Sequence, residues 1–340
     1  MRSFLNWNAF LSLGVAIGLA VISVPFINWA FIEAVWRPDA AACRATTGAC
    51  WGFIAEKHRF ILFGTYPFEQ HWRPALATVL LIGLWFFSAF RFSWRWWLAL
   101  VWLVGLAIIA LLMWGGMLGL PYVENERWGG LILTLLLTTF GLALAFPLSI
   151  LVALGRRSDL PVIRALCVGY IELVRGVPLI TVLFFATYML PFFLPTDWRI
   201  DGLARVLIGV VLFAGAYMAE VVRGGLQAIP RGQFEGAMAL GLGYWRMMGL
   251  VILPQALRLV IPGLVNSFIA LFKDTTLVLI VAIFDLLGQL RAAFADPSWA
   301  TPVTLFTGFA FAGIIYFVVS FGMSRYALFV ERRLSSGRLA

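Results

Sequence analysis

A chain of 340 residues is long enough for two or three soluble domains, yet 62% of it is hydrophobic and only 12% is charged, about half the charged share of an ordinary globular protein. With 30 Phe, 15 Trp and a mean hydropathy of +0.96, the composition excludes a disordered chain, a coiled coil and a soluble enzyme, because a soluble surface needs charges that this chain lacks. The net charge of +9 is scattered through short connections without a basic tract, which argues for orientation in a membrane and against a nucleic-acid partner.

A helix crossing the ~30 Å hydrocarbon layer needs about 20 mostly apolar residues, and eight stretches of this all-α, polytopic chain come near that length. The first, residues 10–29, reads as a retained signal anchor. The loop that follows, residues 30–73, carries Arg37, Arg44, Lys57, Arg59 and Arg73. It also holds Cys43 and Cys50, which either bridge in an oxidising compartment or remain two unpaired thiols. His58 and His71 stand alone in the same loop, with no Cys or carboxylate at ligand spacing, so no metal is expected.

Residues 74–90 and 96–119 form the second and third spans, joined by a turn containing Arg91 and Arg95. Trp94, Trp96, Trp97 and Trp102 belong at the membrane interface. The acidic turn around Glu124 and Glu126 precedes a fourth span, 131–154, where Thr134 and Thr138 stand one turn apart and Pro147 is a candidate kink. Arg156, Arg157, Arg164 and Cys167 follow it. The fifth span, 177–194, contains Pro178 and Pro191, and the sixth covers 203–222. Glu172 and Arg175 are three residues apart before the fifth span, as are Glu220 and Arg223 at the end of the sixth, so each pair can bond along its own helix. Both are read as gate latches or helix-edge clamps.

Residues 223–262 are interrupted by Arg, Glu, Gln, Gly and Pro, and no bilayer crossing fits them. Pro230 and the residues after it can start a helix, and residues 234–245 then place Phe234, Met238, Leu242 and Trp245 on one face. Such a helix either rests on the membrane or docks its apolar face in a partner's groove.

The seventh span, 263–287, holds Lys273 and Asp274 near its midpoint, where a charge costs several kcal/mol unless it is paired or wetted. Asn266, Ala270, Lys273 and Leu277 share a helical face, with Ser267 and Asp274 beside it. Lys273, Asp274, Thr275, Thr276 and Asn266 are thus candidates for lining a translocation path. The other reading is a buried ion pair from Lys273 and Asp274 to Glu220, Glu172 or an arginine. The eighth span covers 303–323.

Short cytoplasmic loops retain Arg and Lys, which places both termini inside. Arg91, Arg95, Arg156, Arg157, Arg164, Arg223, Arg231, Arg246, Arg258, Arg325, Arg332, Arg333 and Arg338 then face the cytoplasm, while Glu124, Glu126, Asp197, Asp201 and Asp296 lie outside. Loop 30–73 also lies outside; its length loosens the charge rule.

Glu235, Gly236, Ala237, Gly241, Leu253 and Pro254 resemble the EAA signature of ABC-type importer permeases, with Gly236 at the second alanine position and Val251 at the isoleucine position. The run from Glu220 to Gln233, the Val174, Arg175, Gly176, Val177, Pro178, Leu179 sequence and Lys273, Asp274, Thr275, Thr276, Leu277 resemble the polar amino acid uptake branch. The likeness is to general L-amino acid uptake permeases, which carry extra spans ahead of a five-helix type I core.

The resemblance implies three additional helices over 1–127, a permease domain over 128–333 with a coupling loop at 223–262, and a cytoplasmic tail at 334–340. It implies that Glu235, Gly236, Ala237, Met238, Gly241 and Leu242 couple the chain to a cytoplasmic ABC ATPase dimer. It further implies a homologous second permease subunit and an extracytoplasmic amino-acid-binding protein, with an L-amino acid as substrate and the bacterial inner membrane as location.

Lys57 and Lys273 are the only lysines, and neither lies in a phosphate-binding Gly-rich loop. The chain is therefore read as non-catalytic, with no cofactor of its own and with ATP and Mg held by the partner. The competing reading is an ion-gradient-driven secondary transporter, which would show inverted repeats; residues 1–127 and 131–333 share none.

Overall fold

A computed structural model describes residues 2–93, 95–195 and 198–335. Trp94, Asp197 and Arg338, named above, lie outside these, as do the last five residues of the tail. The described residues are helices and turns, with isolated bridges and no named strand.

In chain order the helices are α1 (Arg2–Ile27), α2 (Ala40–Ala45), α3 (Trp51–Phe63), α4 (Trp72–Ser88), α5 (Trp97–Trp114), α6 (Gly130–Arg156), α7 (Pro161–Arg175), α8 (Leu179–Phe184), α9 (Gly202–Gln227), α10 (Arg231–Ala239), α11 (Tyr244–Met247), α12 (Leu253–Asp274), α13 (Leu286–Ala293) and α14 (Pro302–Ser335). Among the described residues, six helical stretches are long and apolar enough to span a membrane: Ala9–Ile32, Trp97–Trp114, Gly130–Arg156, Gly202–Gln227, Tyr244–Val281 and Pro302–Arg332. A seventh arises if α7 and the helical run Leu179–Phe193, bent by 110°, count as one. The second expected span, α4, is apolar but only 17 residues long.

The chain divides into two compact units. The first comprises Met1–Ile61 and Leu290–Ile315. Its disulfide joins Cys43 to Cys50, and the Cys50 amide donates to the Thr307 hydroxyl at 2.8 Å. The Trp51 indole donates to the Ala30 carbonyl, Phe53 packs on Phe294 and Trp299, and Lys57 pairs with Asp296 at 2.7 Å. That lysine's hydrogen bond holds the Asp296 carboxyl below its ordinary range. The long loop after the first span is thus folded, and helix α2 within it starts on Asp39, whose carboxylate accepts from the Ala41 and Ala42 amides.

The second unit, Leu62–Gln289 with Tyr316–Ala340, is a helical bundle built around α6. A leucine-rich sequence lets α6 bury residues on nearly every side, from Ile132 to Thr139 in the first turns through Ala153 in the last, as expected for a central span. Pro147 sits within α6 without ending it. Asp201 starts α9 by accepting from the Leu203 and Ala204 amides, and α9 packs along both α6 and α12. In the α4–α5 corner, Arg73 is fully buried and donates to the Leu112 and Pro121 carbonyls, which closes the C-terminal end of α5. Tyr66 lies against this guanidinium; burial raises its phenol to about 12.

The structure departs from three expectations. The fifth span is preceded by a separate amphipathic helix, α7, started by Pro161 at its first position, and the chain breaks at Gly176 to Pro178 because the residue before a proline disfavours helix. The non-spanning segment is far shorter than 223–262: α9 continues to Gln227, and helical structure resumes at Tyr244 and runs to Val281. The seventh span therefore starts about 20 residues earlier than residue 263, residues 282–285 lie outside any helix, and Leu286 already begins α13. Its Gly and Pro interruptions did not break it, since Pro254 occupies a helix start and Pro262 is absorbed inside α12.

Candidate translocation path and coupling site

Lys273 and Asp274 are the last two residues of α12, followed by a tight helical run, Thr275–Val281. They are not at the middle of a straight span, as the sequence suggested. Asn266, Ala270 and Lys273 are all exposed, so the polar face points out of the bundle of this chain. Asp274 and Thr276 are half-buried, and Thr275 is buried. Each threonine hydroxyl turns back on its own helix, Thr275 donating to the Phe272 carbonyl and Thr276 to the Lys273 carbonyl.

Neither Lys273 nor Asp274 forms an ion pair with any described residue, which corrects the expectation of a buried pair to Glu220, Glu172 or an arginine. The ends of helices are where this arrangement is cheapest for Lys273, whose ammonium lies by the negative end of the α12 dipole. Even so, an exposed ammonium on a membrane span costs several kcal/mol against lipid. This face needs water or another protein surface.

Glu220 is instead the centre of an arginine cluster. It accepts from Arg156 of α6, takes two bonds from Arg223 at 2.8 and 3.1 Å, and lies 3.8 Å from Arg175 of α7. Arg156 also reaches Glu172 at 3.4 Å. The Glu220 to Arg223 pair along one helix is present; Glu172 and Arg175, expected to pair with each other, bond across helices instead. The carboxylate spacing was visible in sequence, but Arg156 as the bridging cation was not, because it lies 64 residues away. The Arg175 guanidinium also sits over the Tyr217 ring. The cluster ties three helices together beside the loop that leads to α10.

The α10 region departs from the predicted 234–245 helix. It ends at Ala239, and Gly241 has a φ of +73°, a left-handed value that a side chain disfavours. The Gly241 amide donates to the Met238 carbonyl and the Leu242 amide to that of Ala237, closing the helix. Trp245 then belongs to α11, so the four apolar residues do not share one face. Ala237 is buried and Phe234 and Leu242 pack on the core, while Glu235, Gly236, Met238, Leu240 and Trp245 are exposed. The Arg157 guanidinium lies over the Phe234 ring, and Gln255 of α12 bonds Gln233. The helix is thus anchored on one side and bare on the other.

A buried polar group that sequence reasoning missed lies just before α13. Asp285 is fully buried and accepts from the Gly288 amide and the Tyr316 hydroxyl. An ionisable residue inside a predicted span was the available signal; its partner, 31 residues on, was not legible.

An all-helical membrane bundle with a short anchored surface helix and an unpaired polar face on a span defines a membrane-embedded transport subunit. Residues 145–336 match the family model described as binding-protein-dependent transport system inner membrane component, and the chain belongs to that family. Its relatives include the inner membrane amino-acid ABC transporter permease protein YhdY of Escherichia coli K12, 48% identical over 98% of this chain and 92% of that one. The glutamate/glutamine/aspartate/asparagine transport system permease protein BztC of Rhodobacter capsulatus is 40% identical over 90% of this chain and 82% of its own length. A solved amino acid ABC transporter structure with histidines matches with a TM-score of 0.52 at 30% identity, covering 60% of this chain and 92% of that one. The protein is accordingly a multi-pass inner-membrane ABC-type permease.

Proposed function

We propose that this permease carries L-amino acids inward as one half of a paired permease, driven by ATP that a separate cytoplasmic ATPase dimer hydrolyses with Mg. An extracytoplasmic amino-acid-binding protein delivers the substrate, and both chain termini face the cytoplasm. Asn266, Lys273, Asp274, Thr275 and Thr276 line the path, and Glu235, Gly236, Ala237, Met238, Gly241 and Leu242 receive the ATPase. Cys43 and Cys50 staple the external loop, and Glu172, Arg175, Glu220 and Arg223 clamp the inner helix ends.

The observation that carries this reading is the unpaired, outward-facing stripe of Asn266, Ala270 and Lys273 on a spanning helix. A charge so placed is sustained by a wetted path or a second subunit, and not by lipid. It suits a zwitterionic substrate, whose carboxylate the ammonium attracts. The amino acids named for the relatives support the substrate class. Coupling through α10 is supported by its anchoring at Ala237 and the exposure of Met238 and Leu240.

The test is uptake of a panel of ¹⁴C-labelled L-amino acids by cells producing the permease with its partners. Uptake should survive a protonophore and stop on ATP depletion, and the solubilised chain should purify with an ATPase. Uptake that stops with the protonophore while ATP is maintained supports an ion-gradient carrier instead.

A further inference from the structure

We propose that Asp285 and Tyr316 are positioning residues for the path: one tyrosine grips the stretch from Phe272 to Asp285 at both of its ends and thereby sets where Lys273, Asp274, Thr275 and Thr276 stand. The inference rests on the path assigned above.

The Tyr316 ring packs on Phe272 at 5.2 Å between centroids, immediately before Lys273. Its hydroxyl donates to the Asp285 carboxylate at 2.9 Å, just beyond the tight helical run Thr275–Val281. Between these two contacts the chain leaves α12, turns through Ala282 at a φ of +61° and returns through the Ile283 amide to the Val278 carbonyl. The stretch carrying the candidate path residues is therefore a loop whose two ends meet one side chain.

The far end of that loop is held against α6 as well. The Gly130 amide donates to the Phe284 carbonyl, and the Leu286 amide donates to the Thr134 hydroxyl at 3.0 Å. Asp285 begins α13 by accepting from the Gly288 amide at 2.8 Å. Gln289 is buried against Gly129, where any Cβ would collide with its amide nitrogen. The Tyr316 bond links this anchor across to α14 and back to Phe272.

Burial gives that bond its consequence. Asp285 has no exposed surface, so breaking the bond removes a donor that water cannot replace there. Such a bond holds through the motions of transport, and the segment it spans moves as one piece. A bulk packing role alone would not need the hydroxyl, since the ring already fills the space beside Phe272.

Tyr316→Phe keeps the ring and removes the donor; Asp285→Asn keeps the volume and one carbonyl acceptor. Both are placed in the full complex in proteoliposomes, and amino acid uptake is scored per permease molecule and per ATP hydrolysed. Tyr316→Phe should lower uptake per ATP about tenfold, and Asp285→Asn less. In a Cys167→Ser background, a cysteine introduced by Thr276→Cys should change its rate of reaction with a membrane-impermeant thiosulfonate at least fivefold when Tyr316→Phe is added. Unchanged labelling with uptake per molecule within twofold of the parent overturns the proposal, as does an uptake loss that tracks only the amount of protein in the membrane. If the parent complex moves no amino acid while the labelling rate still shifts, the path assignment fails and the grip on the loop stands.

Discussion

Replacing Glu220 by Ala removes the carboxylate on which Arg156, Arg223 and Arg175 converge. Its side chain is 17% exposed and that of Arg156 24%, so the pair is shielded without being fully dry. A hydrogen bond between charged groups contributes about 1.5–3 kcal/mol, and the same-helix pair to Arg223 about 0.2–0.5 kcal/mol. The Arg175 contact, at 3.8 Å and with a 39% exposed arginine, adds at most about 1 kcal/mol. The expected loss is then about 2–4 kcal/mol, most of it the link between α6 and α9. The assay is thermal unfolding of the detergent-solubilised permease, run as a double-mutant cycle with Arg156→Ala. A coupling energy of about 1.5–3 kcal/mol is expected, because each partner loses its contribution without the other. A coupling energy below about 0.5 kcal/mol would falsify the claim that this bond clamps the two helices.

Gly241→Val forces a branched side chain into the left-handed turn that ends α10, at a cost of about 1–2 kcal/mol; uptake should fall sharply with the chain still inserted, as read by membrane fractionation beside transport. Cys43→Ser with Cys50→Ser opens a short loop of seven-residue separation and should cost about 2–3 kcal/mol; maleimide labelling without reductant should modify one cysteine in the parent, and three would show that no bridge forms. Because Lys57 depresses the Asp296 pKa, the stabilisation it gives is present above the ordinary carboxylate value of about 4 and fades as pH falls through the depressed value. The melting temperature of Asp296→Asn should therefore differ from the parent at pH 7 and converge with it under strong acid; a constant offset across that range would assign the loss to packing. Lys273→Ala should change the dependence of uptake on substrate identity while leaving the melting temperature within a few degrees, since no ion pair is lost; a collapse in stability with unaltered uptake per molecule would place it outside the path.

The amino-acid order by itself determined the membrane class, most of the spanning segments and the family, because each rests on local properties. Apolar runs such as residues 131–154 must be hidden from water whatever surrounds them, and the Glu235 to Pro254 spacing is a pattern along the chain. What failed were boundaries and partners. Phe234 to Trp245 looks like one amphipathic helix by periodicity, yet Gly241 takes a left-handed turn between the buried Ala237 and Leu242, which packs on the same core. Lys273 looked central in a span counted from residue 263, since Gly and Pro between 243 and 262 read as breaks that packing against α9 overrides.

Only the tertiary structure decided which charges meet. Glu172 was legible as a partner for Arg175 three residues on, but Arg156 takes it because α6 and α7 bring that guanidinium closer to it and to Glu220 together. Asp285 and Tyr316 are unconnected in sequence and become a single bond only when α14 returns past the end of α12. Hydrophobic burial depends on local composition and so can be read along the chain; the pairing of polar groups depends on distances between segments far apart in it, which the folded bundle alone sets.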